Sequence, residues 1–186
     1  MKITSKNIIN EQLDNAFGHH GTQFVGSMPT RSFQISWSDL PKETVSLAIF
    51  FDDLDAIPVC GFSWIHWVVA NIDPAWGELP ENASLAMNLL EGVNSWAAPI
   101  IPADWKLSPE QAAHFGGCAP PDKAHRYTLK MYALDKKLDL KRGFLANALY
   151  HAMEGHILAE ATLKFWYKAK PEWGAEVTQT LNKTIQ

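Results

Sequence analysis

Two cysteines in 186 residues, Cys60 and Cys118, are too few for a disulfide framework, and neither has a partner at zinc-finger spacing. They are expected as reduced, partly buried thiols. No apolar run approaches the roughly 18 residues that a membrane-spanning helix needs. The opening stretch MKITSKNIINEQLDNAFGHH lacks the apolar core of a secretory signal, so the expected compartment is the cytoplasm. Surplus positive charge is missing too. Sixteen Lys and Arg against twenty Asp and Glu leave a net charge of −4, which excludes general nucleic-acid binding and a polybasic membrane contact. Charged residues make up only 19% against 47% hydrophobic, which excludes a disordered chain. No internal repeat and no low-complexity segment is present.

What remains is enough for one domain, 1–186, which can bury roughly 70% of its unfolded surface without staples. Residues 1–29 read as an arm and lead segment, with a short helix over 10–17. Gly18-His19-His20-Gly21 reads as a surface turn. Alternation over Ser32–Trp37 predicts a strand. The β-branched and aromatic runs at 46–51 and 64–72 predict strands buried on both faces. Residues 58–63 read as loop. The stretch 74–121 is irregular, with a helix over 84–91 and Trp76, Trp96 and Trp105 as packing anchors. A strand follows at 126–135. A helix is expected over 139–153, capped by Asp139 and stopped by Gly155. A last strand spans 156–168, and the tail 169–186 ends in a short helix or frayed end. Strands dominate and do not alternate with helices, so the fold class is all-β or β-rich α+β.

Four pieces can carry chemistry. Asp53-Leu54-Asp55-Ala56 is an acidic loop after a strand. His66 lies inside an apolar strand, where an imidazole must find a partner. Gly116-Gly117-Cys118-Ala119-Pro120-Pro121 lets backbone approach closely and then stiffens. His125-Arg126-Tyr127 opens a strand. Imidazole and backbone N–H groups together can hold an oxyanion, and a carboxylate beside an imidazole fixes its tautomer. Each piece alone is more often structural: a satisfied core histidine, a solvated turn, a rigid loop. His151 and His156 read as helix-end groups, and Lys136, Lys137, Lys141 and Arg142 as a solvated basic face.

Together these pieces resemble the phosphatidylethanolamine-binding protein family, in its bacterial YbhB/YbcL Raf kinase inhibitor-like branch. Asp53-Leu54-Asp55-Ala56 is similar to the family's D-P-D-A signature. His66-Trp67-Val68-Val69-Ala70-Asn71-Ile72 is similar to its H-W-V-V-x-N-I strand. Gly116 to Pro121, then His125-Arg126-Tyr127, is similar to its G-G-P-C-P-P…H-R-Y segment, and Met153 to Ala161 to its M-E-G-H-V-L-A-E-A segment. Ser36-Trp37 followed by Leu40-Pro41 is similar to its opening. The resemblance covers about residues 30 to 168. Leu54 stands where the family has Pro, Pro58 comes one residue late, and Cys118 and Ala119 replace Pro and Cys.

The resemblance implies a central antiparallel sheet packed on a smaller one, with a few peripheral helices, one of them near the C-terminus. It implies a non-catalytic protein with a small pocket for phosphate, phosphoryl head groups or similar anions. His66 and His125 would donate to the anion, and Asp53 would orient one imidazole. Tyr127 would wall the pocket, with Asp55, Ala56, Gly117, Ala119 and Pro120 around it. Two such imidazoles would bind more strongly when protonated, so affinity should rise as pH falls from about 8 to about 6. No cofactor is implied. A kinase or protease is the implied protein partner, and a homodimer is compatible. One alternative is a small hydrolase that uses the Asp–His pair or Cys118, although no G-x-S-x-G elbow is present. Another is a metal site built from Asp53, His66 and His125.

Overall fold

The computed structural model describes residues 1–170. The strands along the chain are β1 (Lys2–Thr4), β2 (Ile8–Ile9), β3 (Gln12–Leu13), β4 (Phe24–Val25), β5 (Met28–Pro29) and β6 (Ile35–Ser38). They continue as β7 (Ser46–Asp53), β8 (Trp64–Ile72), β9 (Glu78–Leu79), β10 (Leu90–Glu91), β11 (His125–Leu134) and β12 (Ile157–Tyr167). The short helices are α1 (Ile57–Cys60), α2 (Ala83–Ala86), α3 (Pro109–Ala112) and α4 (Ala146–Met153). Seven strands form one sheet in the order β10-β8-β7-β11-β12-β3-β2. Its long pairings are antiparallel, and β3 joins β12 in parallel, so the sheet is mixed and not wholly antiparallel. A smaller sheet has the order β1-β6-β9.

The period-two pattern divides the long strands between two cores. Ile49 and Phe51 of β7, Trp67 and Val69 of β8, and Leu129 and Met131 of β11 face the smaller sheet. They meet Ile3, Ile35, Trp37 and Leu79 there. Ala48, Val68, Ala70, Tyr132 and Leu134 face the other way and are covered by Leu149 and Met153 of α4. Strands buried on both faces explain why 46–51 and 64–72 read as unbroken apolar runs.

Several expected boundaries shift. The helix over 139–153 begins only at Ala146, and Asp139 does not cap it; the residue before it is Leu145. Gly143 sits at φ +82°, a left-handed conformation that breaks a helix there. The helix over 84–91 shrinks to α2, because Leu90 and Glu91 pair with Ala70 and Val69. The helix over 10–17 is replaced by β3 and a single 3-10 turn at Asn15–Phe17. The loop over 58–63 opens with α1. His19 is buried against Tyr167, not a surface turn residue, because its ring fills the space beside the Gly18–Cys118 bridge. The helix or frayed end expected from Pro171 lies outside the described residues. No helix among the described residues is long and apolar enough to cross a membrane.

Candidate functional site

β7 and β11 are antiparallel neighbours, with Asp53 opposite Tyr127. The end of one strand therefore lies beside the start of the other. Side chains two residues apart share a face, so Asp53 and His125 come out on the same side. His66 reaches that side by a different device. The β7–β8 register slips between Phe51 and Asp52, whose partners are Trp67 and Ile65. His66 is the extra residue of this bulge. Bulges of this kind re-aim a side chain beside functional sites. The His66 ring packs against Phe51, Tyr127 and Trp96, with centroids 5.1, 5.2 and 5.4 Å away.

The two histidines have opposite chemistry. His125 Nδ1 lies 2.8 Å from Asp53 Oδ2, and its Nε2 lies 2.8 Å from Asp122 Oδ1. Ionised carboxylates only accept, so each ring nitrogen carries a proton and the ring is an imidazolium. Burial opposes that charge, but the two carboxylates outweigh it and the pKa is raised. His66 Nδ1 instead donates to the Gly116 carbonyl at 2.8 Å. Burial, only partly offset by the nearby carboxylate of Asp53, lowers its pKa to about 4. At neutral pH His66 is uncharged, and its Nε2 is a lone-pair acceptor. The expectation of two imidazoles charging together fails on this point, because burial penalises the charged form of a fully buried ring more than its neighbours favour it.

A cavity of about 270 Å³ opens over Asp53, His66 and His125. Ala56, Ala119 and Pro121 edge this polar floor. The wall is apolar: Val59, Phe62, Trp64, Trp96, Ile101 and Trp105. Trp64 meets Trp96 edge-on and stacks on Phe62. No lysine or arginine is among the described lining residues. Asp53 Oδ1 and Trp64 Nε1, both on lining residues, are buried with no hydrogen-bond partner among the described residues. Such orphans are uncommon in folded proteins.

A sequence profile described as phosphatidylethanolamine-binding protein matches residues 3–168. The chain belongs to the phosphatidylethanolamine-binding protein family. It is 44% identical over 153 residues to the uncharacterised protein YxkA of Bacillus subtilis, across 81% of this chain and 86% of that protein. It is 36% identical over 154 residues to a UPF0098 protein of Chlamydia muridarum, across 80% and 87%. The fold is similar to that of Escherichia coli YbcL, described as a new member of the mammalian family, with a TM-score of 0.70 at 26% identity, covering 91% and 98% of the two chains. A homologue of the family from Chlamydia trachomatis gives a TM-score of 0.69 at 27% identity, covering 91% and 96%.

The residues singled out by the family motifs divide into two groups. Asp53, Ala56, His66, Ala119 and His125 line the cavity of this family member. Asp55, Gly117, Pro120 and Tyr127 do not. The Asp55 carboxylate accepts from the Arg126 N–H at 2.8 Å and so fixes the start of β11. Gly117 donates to the Pro29 carbonyl, and a Cβ there would lie 2.7 Å from the Phe17 carbonyl oxygen. Its smallness serves the N-terminal arm, not a ligand. Tyr127 is fully buried beneath the two imidazoles, and its hydroxyl accepts the Ala119 N–H at 3.3 Å. Tyr127 is thus a support under the floor, and the Ala119 N–H already has a partner.

Neither alternative gains from the geometry. Cys118 is buried outside the cavity lining, and burial pushes its thiol well above the ordinary range, which opposes a thiolate nucleophile. Both nitrogens of His125 are bonded to carboxylates, so no lone pair faces a metal. Among the described residues no cluster of His, Cys, Asp or Glu is arranged to hold one. Cys60, by contrast, lines the cavity as a free, half-buried thiol.

Two features escaped the sequence reading. Asp122, three residues before His125, was not singled out. Glu91 is fully buried and accepts from Trp67 Nε1 at 2.7 Å, Ser84 Oγ at 2.5 Å and Arg142 at 3.1 Å. Arg142 therefore reaches in from a partly exposed position to pair with a buried carboxylate, and is more than part of a solvated basic face.

Proposed function

We propose that this chain is a binding protein for a small ligand with an oxyanion head, phosphoryl or carboxylate, seated on the floor formed by Asp53, His66 and His125. One observation carries the reading. A carboxylate oxygen, that of Asp122, lies 2.8 Å from His125 Nε2 at the edge of the cavity. The nitrogen that would face a ligand is thus already presented to an oxyanion. The Asp122 side chain is half exposed, whereas Asp53 is buried on the far nitrogen. A ligand oxyanion would take the place of Asp122 while Asp53 keeps the ring charged and oriented. Charge-assisted donors of this kind make the stronger hydrogen bonds.

His66 has a different part. As a neutral acceptor it favours a head that retains one proton, such as a hydrogen phosphate or a phosphate monoester. Ala56 and Ala119 edge the seat, while Asp55, Gly117, Pro120 and Tyr127 hold the surrounding backbone. The free Cys60 and Cys118 thiols are compatible with a reducing compartment, in line with the cytoplasmic expectation.

Calorimetric titration with inorganic phosphate, methyl phosphate and acetate tests this reading. His125→Ala should lower affinity by roughly 1.5–3 kcal/mol, the scale of one charge-assisted hydrogen bond. His66→Ala should weaken methyl phosphate more than acetate. Unchanged affinity in His125→Ala would move the seat elsewhere.

A further inference from the structure

We propose that the body of the ligand is a single aromatic ring, or an apolar group of that size, and that the wall containing Trp64, Ile101 and Trp105 selects it. The proposal rests on the oxyanion-head reading and adds the class of molecule to which the head is attached: a compact aryl acid such as an aryl phosphate monoester.

Three observations carry it. The first is the contrast between floor and wall. The carboxylate and imidazole groups of the cavity are confined to its floor, and the wall is aromatic and branched aliphatic apart from indole N–H groups and the Cys60 thiol. A bare inorganic ion would cover the floor alone. Water against that wall would lack the several polar partners that ordered water needs. The second is size. At about 270 Å³ the cavity lies at or just below the small end of ligand pockets. It has room for a ring and not for two acyl chains. The third is charge. With no lysine or arginine on the lining, and with Asp53 and Asp122 flanking His125, each extra negative charge on a ligand meets repulsion. Polyphosphates are disfavoured, and a single acidic head remains.

The wall is also preformed. The segment from Trp96 to Leu107 is closed at its base by the Leu107 N–H on the Trp96 carbonyl at 3.0 Å. Within it, the Trp105 and Lys106 N–H groups both donate to the Pro102 carbonyl, at 3.0 and 2.9 Å. Ser27 Oγ donates to the Trp105 carbonyl at 3.3 Å and ties the loop to the body of the protein. A wall held by its own backbone bonds needs little ordering when a ring enters, and preorganisation of this sort raises affinity.

The test compares phenyl phosphate, methyl phosphate and inorganic phosphate by calorimetry, on the full chain. Vesicles containing phosphatidylethanolamine form a fourth arm, followed by co-sedimentation. Phenyl phosphate should bind about tenfold more tightly than methyl phosphate, the gain expected from burying one ring. Trp105→Ala should remove most of that gain, weakening phenyl phosphate far more than methyl phosphate. Ile101→Ala, a smaller cut in the same loop, should remove part of it. Equal affinity for phenyl and methyl phosphate would overturn the inference and leave the oxyanion head standing. Vesicle binding without a phenyl gain would overturn it in favour of a lipid surface. Failure of all three phosphates to bind would overturn the head reading as well.

Discussion

Replacing Asp122 by Asn should make the protein bind oxyanions more tightly. Asp122 Oδ1 lies 2.8 Å from His125 Nε2. Two unit charges about 4 Å apart interact by roughly 4 kcal/mol at the effective dielectric typical near a protein surface. The Asp122 side chain is 50% exposed, however, while that of His125 is 0% exposed. Solvent screening and the entropy of holding an exposed side chain reduce such a pair to about 1 kcal/mol net. That is the cost that a ligand meets when it displaces the carboxylate. Asn is isosteric and offers only a neutral acceptor, so most of this cost disappears. The expected gain is about fivefold in affinity, since about 1.4 kcal/mol corresponds to tenfold.

The measurement is calorimetric titration of methyl phosphate into wild type and Asp122→Asn. It should be run at about pH 6, where the imidazolium retained by Asp53 is populated in both proteins. Asp53→Asn is the matched control. It removes the buried carboxylate that fixes the far nitrogen, and affinity should fall by at least about tenfold, the scale of one charge-assisted bond. Weaker or unchanged binding in Asp122→Asn would refute the reasoning. It would mean that Asp122 assists the ligand or that the ligand never reaches His125.

Three further outcomes follow from the structure. His66 has its pKa lowered to about 4 in the folded protein, so its contribution to stability is complete above its unfolded value near 6.5 and is lost as pH falls toward 4. Over that span it amounts to roughly 3 kcal/mol; urea unfolding at several pH values should show a shallower acid loss in His66→Gln, and an identical slope would contradict the assignment. Arg142→Met should destabilise by about 1–2 kcal/mol, because a buried Glu91 loses its arginine partner while the 42% exposure of that arginine side chain screens part of the attraction and Trp67, Ser84 and His114 remain beside the carboxylate. Glu91→Met combined with Arg142→Met should cost less than the sum of the two single changes, and strict additivity would exclude the pair as a coupled unit. In the native protein a thiol reagent should modify Cys60, which lines the cavity, and spare the buried Cys118, with both thiols reacting in denaturant. Bound phenyl phosphate should slow Cys60, and an unaffected rate would show that it occupies some other cavity.

The parts of the fold that were legible are those whose signal is local. Ser46–Asp53 and Trp64–Ile72 are strands buried on both faces, and such strands announce themselves as apolar runs. The candidate site was legible where ordered motifs fall at strand ends, as Asp53 and His125 do. What stayed hidden depends on distant partners. Glu91 looks like any glutamate until Trp67, Ser84 and Arg142 are folded around it from 24, 7 and 51 positions away. The apolar wall draws on Trp96 and Trp105, which as isolated tryptophans read only as packing anchors, and on Trp64, which read only as the start of a strand. Asp122 is the exception, since its spacing of three from His125 was visible in the chain. A carboxylate three residues before a motif histidine is a usable sign of a local pair.

The motif treats His66 and His125 as equals, and the fold makes them unequal. One is clamped between two carboxylates and charged; the other is buried against a carbonyl and neutral. Environments that push two titratable groups apart assign them different chemistry. Here the division is a donor and an acceptor around one seat. Acidification from pH 8 to 6 therefore adds no charge at His66, whose pKa lies near 4. His125, with its raised pKa, is already protonated over the lower part of that range. Over that lower part the remaining titration is that of the ligand, since phosphate's second pKa is about 6. A head that gains one proton as pH falls becomes the partner that His66 Nε2 can accept from, while its ionised oxygen still faces His125. Over the lower part of that range the pH course of binding should thus follow the ligand's own protonation more than that of the protein.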